Sequence, residues 1–310
     1  LLIDSSGSMK RTDPHSYRKE AAALFISLLN KNDRIGIISF GDSATVLMPL
    51  TRNTPENRAA LLNAIRKVSS KEMTTNITAA VQKGFTELKS LHQGTKTLIM
   101  LSDGKIDLGS REQDDASTTA LHQLPPELSK VDITLYTLAF TDESDRELLE
   151  QMARETNGFF RFAKEDKDVH MMFASLFEKI KSPDSIPFDN GSFTIDAEIR
   201  EATVLVTKTA GAALSLTDPS GTRHTATEHA AHIAWFQSSV FDMITIQAPA
   251  TGVWSVTSSN NEGNKIYVLT DLGLKTSFNT SFINKGMNVA IDAWLEKPGG
   301  IVTEKFVLES

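Results

Sequence analysis

The chain has no cysteine, which removes disulfides, thiolate metal ligands and cysteine nucleophiles from its chemistry. It also has no apolar run approaching the ~20 residues needed to cross a bilayer as a helix. Basic residues are too few and too dispersed for a phosphate-binding stripe, and the formal net charge is −7. Nucleic acid is therefore not expected as a partner. Three catalytic signatures are missing as well. No Gly-x-x-x-x-Gly-Lys-Ser/Thr loop occurs, His224, His229 and His232 do not form His-Glu-x-x-His, and no nucleophile elbow presents a serine. The three histidines read as loop or surface residues. What remains is an ordinary soluble composition, 40% hydrophobic and 23% charged over 310 residues, enough for about two domains.

The most informative segment is Leu2-Ile3-Asp4-Ser5-Ser6-Gly7-Ser8-Met9. The apolar run Leu1 to Ile3 reads as the end of a buried parallel strand. Asp4, Ser6 and Ser8 then place a carboxylate and two hydroxyls at i, i+2, i+4, with Gly7 allowing a tight turn. Oxygen ligands of this kind suit a hard divalent cation, and hydroxyls leave its charge under-neutralised. Alone, Asp-x-Ser-x-Ser carries little weight, because Asp and Ser crowd ordinary turns. Asp4 as a phosphoryl-accepting nucleophile would want a second Asp two residues on, where this chain has Ser6.

Two further segments raise its weight. Met73-Thr74-Thr75-Asn76-Ile77 precedes an amphipathic stretch, and Leu98-Ile99-Met100-Leu101-Ser102-Asp103-Gly104 is a second apolar strand ending in an acid. Together they resemble the metal-ion-dependent adhesion site of von Willebrand factor type A domains. The resemblance implies that Asp4, Ser6, Ser8, Thr75 and Asp103 bind a divalent cation. Ser6 and Ser8 would bind through their hydroxyls, Thr75 directly or through water, and Asp4 and Asp103 largely through water. Magnesium fits best, because it dehydrates reluctantly, and manganese or calcium could substitute. Met73-Thr74 stands where the family often has Gly-Gly or Gly-Ser, a stiffer second loop. Gly41-Asp42-Ser43 reads as a plain turn near the same edge.

Around these segments, apolar runs alternate with helical stretches up to about Lys181. Helices are expected over Pro14–Asn30, Thr54–Val68, Ile77–Ser90, Ser144–Thr156 and Asp166–Ile180. Another over Arg111–Leu128 is expected to break near Pro125-Pro126. Strands are expected over Arg34–Phe40, Ala44–Leu50, Thr97–Leu101, Ile133–Phe140 and Phe159–Ala163. This alternation predicts an α/β fold, a doubly wound, mostly parallel six-stranded sheet with helices on both faces.

At Ser182-Pro183-Asp184 the pattern changes to short alternating strands separated by turns such as Asp218-Pro219-Ser220-Gly221, which predicts an antiparallel β-sandwich. Leu-Thr-Asp-Pro-Ser-Gly and Pro-Ala-Thr-Gly-Val-Trp-Ser-Val resemble the sandwich that follows the type A domain in hemicentin-like and chloride-channel-accessory-like proteins. Trp254 reads as its core anchor. The expected domains are 1–182, 183–274, and 275–310 as the start of a second, truncated sandwich. The chain opens inside a strand and without Met, as if trimmed, so targeting or membrane-anchoring segments are expected only outside it.

The resemblance implies a non-enzymatic, metal-dependent adhesion module whose cation receives a partner protein's acidic side chain. The absence of cysteine and the trailing sandwich favour an extracytoplasmic, bacterial setting. A regulatory subunit of a AAA-type ATPase or chelatase, or a non-catalytic part of a processed surface protein, are the alternatives.

Overall fold

The computed structural model describes residues 1–103, 105–139, 144–163, 168–258, 263–270, 273–277, 291–297 and 300–301. The chain divides into two compact units, Leu1–Lys181 and Ser182–Ser310.

In the first unit a six-stranded sheet has the order β3-β2-β1-β4-β5-β6. Its strands are β1 (Leu2–Asp4), β2 (Arg34–Phe40), β3 (Ala44–Arg52), β4 (Lys96–Ser102), β5 (Ile133–Ala139) and β6 (Phe160–Phe162). All neighbours run parallel except β2 and β3, which form a hairpin. β1 lies between β2 and β4, with Leu2 opposite both Ile38 and Met100. From β1 the chain winds outward to β2 and β3 on one side, then returns to lay down β4, β5 and β6 on the other. The strand order therefore reverses between β1 and β4, where open α/β sheets place their ligands.

The helices are α1 (Met9–Thr12), α2 (Tyr17–Leu28), α3 (Pro55–Lys67), α4 (Ile77–Leu88), α5 (Arg111–His122), α6 (Leu124–Lys130), α7 (Arg146–Glu155) and α8 (Val169–Lys181). α2 packs on α3 and α8, with Phe25 and Phe173 rings 5.6 Å apart. A second cluster joins Leu2, Phe40, Met100 and Leu135 of the sheet to Ile77 and Val81 of α4, Leu128 of α6 and Met152 of α7.

One helix expectation needs correction. The stretch expected as one helix from Pro14 to Asn30 is a short α1 and a later α2. Ser16 has φ 61, which no α-helix continues through, and the Asp13 carboxylate accepts from Tyr17 N at 2.6 Å to start α2. The stretch from Arg111 to Leu128 is broken near Pro125-Pro126 as expected, and the two prolines open its second piece, since proline lacks only a donor that a first turn leaves unpaired. The break falls at Gln123.

In the second unit, two antiparallel sheets have the orders β11-β10-β14-β8 and β12-β13-β9-β15-β7. The first is built from β8 (Ser192–Ile195), β10 (Ser215–Thr217), β11 (Arg223–His224) and β14 (Gly252–Thr257). The second contains β7 (Asp184–Ser185), β9 (Ile199–Thr207), β12 (Ile233–Gln237), β13 (Phe241–Gln247) and β15 (Lys265–Thr270). Phe193, Leu216, Trp254 and Val256 from one sheet meet Val204, Val206, Ile244 and Ile266 from the other. Trp254 is a core anchor, 1% exposed, its indole N–H donating to Ala250 O at 2.9 Å. β16 (Gly273–Thr276), β17 (Ala293–Lys297) and β18 (Gly300–Ile301) form a separate three-stranded sheet. Residues 278–290 and 302–310 of the expected second sandwich lie outside the described residues.

The histidine expectation also needs correction. His224 lies buried on β11, its Nε2 3.3 Å from Asp218, whereas His229 and His232 are exposed. Among the described residues, no helix is long and apolar enough to cross a membrane.

Candidate metal centre

The site is built from three loops at the carboxyl edge of β1 and β4. β1 ends at Asp4, which is fully buried. One of its oxygens accepts from Ser6 N at 2.8 Å and the other from the Ser102 hydroxyl at 2.6 Å. The hydroxyls of Ser6 and Ser8 lie 2.9 Å apart, and Ser8 donates to Asp103 Oδ1 at 3.0 Å. Asp103 follows β4 directly and is 1% exposed, and its second oxygen accepts from Thr12. Ser8 sits at the N-cap of α1 yet makes no cap bond, because its hydroxyl is spent on Asp103 and Ser6.

Thr75 arrives on the second loop, one residue before Asn76, whose side chain caps α4 by accepting from Ala79 N. The structure stitches this loop to both others. Glu72 N donates to Ser5 O at 3.2 Å, and Thr75 N donates to Asp107 O at 2.7 Å. Asp4, Ser6, Ser8 and Asp103 are therefore joined in one hydrogen-bond network, while Thr75 stands at the same edge, held through Asp107.

Several residues of this edge were not singled out by sequence reasoning. Thr12 is four residues from Ser8 on one helical turn, a spacing that puts both on one face. Ser102 is the neighbour of Asp103 at a strand end. Asp42 does more than fill a turn: one carboxylate oxygen accepts from Met73 N, Thr74 N and Thr74 Oγ1, at 2.8, 2.8 and 2.9 Å. Those bonds, the one from the Thr74 hydroxyl foremost, hold its carboxyl pKa below the usual carboxylate range. Glu72 completes the clamp, accepting from Asp42 N at 2.6 Å and Ser5 Oγ at 3.0 Å. The stiffness of the second loop thus has a visible source.

Gly41 is required by this clamp. A Cβ there would lie 2.5 Å from Glu72 Cβ and 2.6 Å from Glu72 Oε2. Gly41→Ala is expected to cost ~1–3 kcal/mol of stability by overpacking. It should also weaken magnesium affinity, because Thr75 rides on the same loop. Urea denaturation and a metal titration of the variant check both effects.

The donor chemistry fits a hard cation. Burial first, and the neighbouring Asp103 charge second, push the Asp4 carboxyl up to about 6, although three hydrogen bonds from Ser102 and Ser6 oppose the shift. The local donors do not compensate this carboxylate, and a divalent cation is the kind of group that would. The second unit holds a comparison. Asp218, Ser220 and Thr222 repeat the Asp-x-Ser-x-Ser/Thr spacing, with Ser220 N and Thr222 N each 2.9 Å from one Asp218 oxygen. There the side-chain bond from Ser220 leads in lowering the carboxyl to about 2. The same spacing gives a satisfied turn in one place and an uncompensated buried acid in the other. The difference is burial and the second carboxylate. Among the described residues, no group of three or more His, Cys, Asp or Glu is arranged to hold a metal.

A cavity of about 840 Å3 at the opposite, amino end of the sheet holds none of the five residues. Its lining mixes apolar side chains such as Leu2, Phe25 and Leu98 with charged ones such as Arg34, Glu87 and Lys96.

A metal-type loop set at the switch point of this sheet defines a class. Residues 1–177 match the family model of the von Willebrand factor type A domain, and the chain belongs to that family. Residues 178–270 match the hemicentin galactose-binding domain-like family. Domains of the first family commonly bind a divalent metal. Among individual proteins, the chain is similar to inter-alpha-trypsin inhibitor heavy chain H3 of Pongo abelii. The two are 27% identical over 191 residues, covering 59% of this chain and 21% of the relative. An uncharacterized protein of Synechocystis is 25% identical over 183 residues, covering 59% of this chain and 41% of that one. The chain thus spans about a fifth of the length of the inhibitor heavy chain. In fold, it is similar to a von Willebrand factor type A protein from Catenulispora acidiphila. That likeness has a TM-score of 0.50 at 14% identity and covers 97% of this chain and 62% of that one.

Proposed function

We propose that residues 1–182 are a non-enzymatic, metal-dependent protein-binding module. Asp4, Ser6, Ser8, Thr75 and Asp103 would hold a divalent cation, magnesium by preference, with manganese or calcium able to substitute. The observation that carries this reading is the joining of two buried carboxylates through Ser6 and Ser8, by the Ser6 backbone N–H at Asp4 and the Ser8 hydroxyl at Asp103, at the strand-order reversal. When bound, the cation supplies positive charge that hydroxyl ligands do not neutralise, and an Asp or Glu carboxylate of a partner protein complements it.

The remaining residues orient the ligands. Ser102 fixes the Asp4 carboxylate, Thr12 fixes Asp103, and Asp42 with Glu72 fixes the loop that carries Thr75. Nucleic acid is not a partner in this reading. The sandwich 183–274, with 275–310 as the start of another, serves as a spacer in an extracytoplasmic bacterial protein.

The test is capture of envelope proteins on the immobilised chain, in magnesium and in chelator. Partners retained in magnesium and released by chelator are expected. Partners held equally by wild type and by Asp4→Ala/Ser6→Ala in chelator would sink the proposal.

A further inference from the structure

We infer that the partner's acidic residue is flanked by an apolar side chain that packs on Met73, with the adjoining chain lying in the polar groove between α4 and α5. This deepens the metal-dependent reading above and rests on it.

Met73 is 85% exposed, and among the described residues it is the only large hydrophobic side chain of the first unit that stands out in solvent. An isolated exposed methionine needs no explanation on an ordinary surface. This one sits two residues before Thr75, on a loop with no freedom to fold it away. Each backbone N–H from Glu72 to Thr75 is committed: Glu72 to Ser5 O, Met73 and Thr74 to the Asp42 carboxylate, and Thr75 to Asp107 O. Neighbouring loops thus hold the backbone still while the side chain points outward. An unbranched thioether is also the side chain best able to adapt to a partner's apolar surface.

From the same loop an open groove of about 630 Å3 runs between α4 and α5. Asp42, Thr74 and Asn76 stand at its start, and Gln82 and Gln113 line it with amide donors and acceptors, while Ala79 and Ala116 keep it wide. Amides of that kind pair with the backbone of an extended segment without regard to its side chains. The α4–α5 contact beneath is fixed by Thr78 Oγ1, 2.7 Å from Ser117 Oγ and 2.9 Å from Ser117 O. The loop from Met73 to Asn76 therefore adjoins three features: a carboxylate-seeking site at Thr75, one apolar contact at Met73 and a polar track at Thr74 and Asn76.

The test uses the full chain and a displayed library of short random peptides with glutamate fixed at the centre, bound in magnesium and eluted with chelator. Eluted peptides are expected to carry Leu, Ile, Met or Phe within two positions of the glutamate. Synthetic copies should bind Met73→Gln about tenfold more weakly than wild type, the loss of one buried side chain. Magnesium affinity by calorimetry should be the same in both, since the substitution is on an exposed side chain. Eluted peptides without apolar enrichment, or equal affinity for M73Q, would overturn the Met73 inference and leave the metal-dependent reading standing. If chelator elutes no glutamate peptide at all, that reading falls, and this inference with it.

Discussion

Arg18→Met is expected to destabilise the first unit by ~3–5 kcal/mol, the cost of leaving a buried partner charge uncompensated. Arg18 and Asp13 are both fully buried side chains, with Nη1 2.5 Å from Oδ2. The guanidinium also donates from Nη2 to Ser69 O at 2.8 Å and to Ser70 Oγ at 2.7 Å. One side chain therefore ties the start of α2 to the segment that leads into the loop carrying Thr75. Burial raises the Asp13 carboxyl even with the guanidinium beside it, so the acid alone would be worse placed still. Asp13→Asn in the Arg18→Met background should recover part of the loss, because the amide removes the stranded charge. Denaturant titration of the two variants and the wild type checks this. A loss under ~1 kcal/mol for Arg18→Met, the range of an exposed pair, would show that the pair is not buried as described.

Asp4→Asn should abolish the response of the first unit to divalent metal while leaving its fold intact. The amide keeps an acceptor for Ser6 N and a partner for the Ser102 hydroxyl, the two bonds that place this residue at the end of β1. What it removes is the charge that burial and Asp103 leave uncompensated. A ligand present at about a hundred times its dissociation constant stabilises the folded state by ~2.7 kcal/mol. For a unit of this size that is ~5–10 °C in melting temperature. Wild type should show such a shift with magnesium, and the variant none, by calorimetric scanning of the first unit's transition.

The parallel sheet and its flanking helices were legible because they rest on periodicity and apolar runs, which are local properties of the chain. The candidate ligands were legible because three segments each close or adjoin a strand or helix end, and one sheet edge gathers such ends. Asp218-Pro219-Ser220-Gly221-Thr222 shows the limit of this reasoning. Its spacing matches Asp4-x-Ser6-x-Ser8, and only burial and a second acid tell the two apart. The unforeseen features are tertiary. Asp42 looked like a turn residue, and its clamp on Met73 and Thr74 appears only once residues 31 and 32 positions away are brought to it. Ser16 at positive φ split a helix that apolar spacing alone would continue.

The central claim is that Asp4 and its neighbours hold a divalent cation, and isothermal titration of the metal-stripped chain with magnesium tests it most directly. Saturable binding of one ion per chain in wild type, absent in Asp4→Asn, is the predicted result. No heat in either protein, or the same isotherm in both, would contradict it.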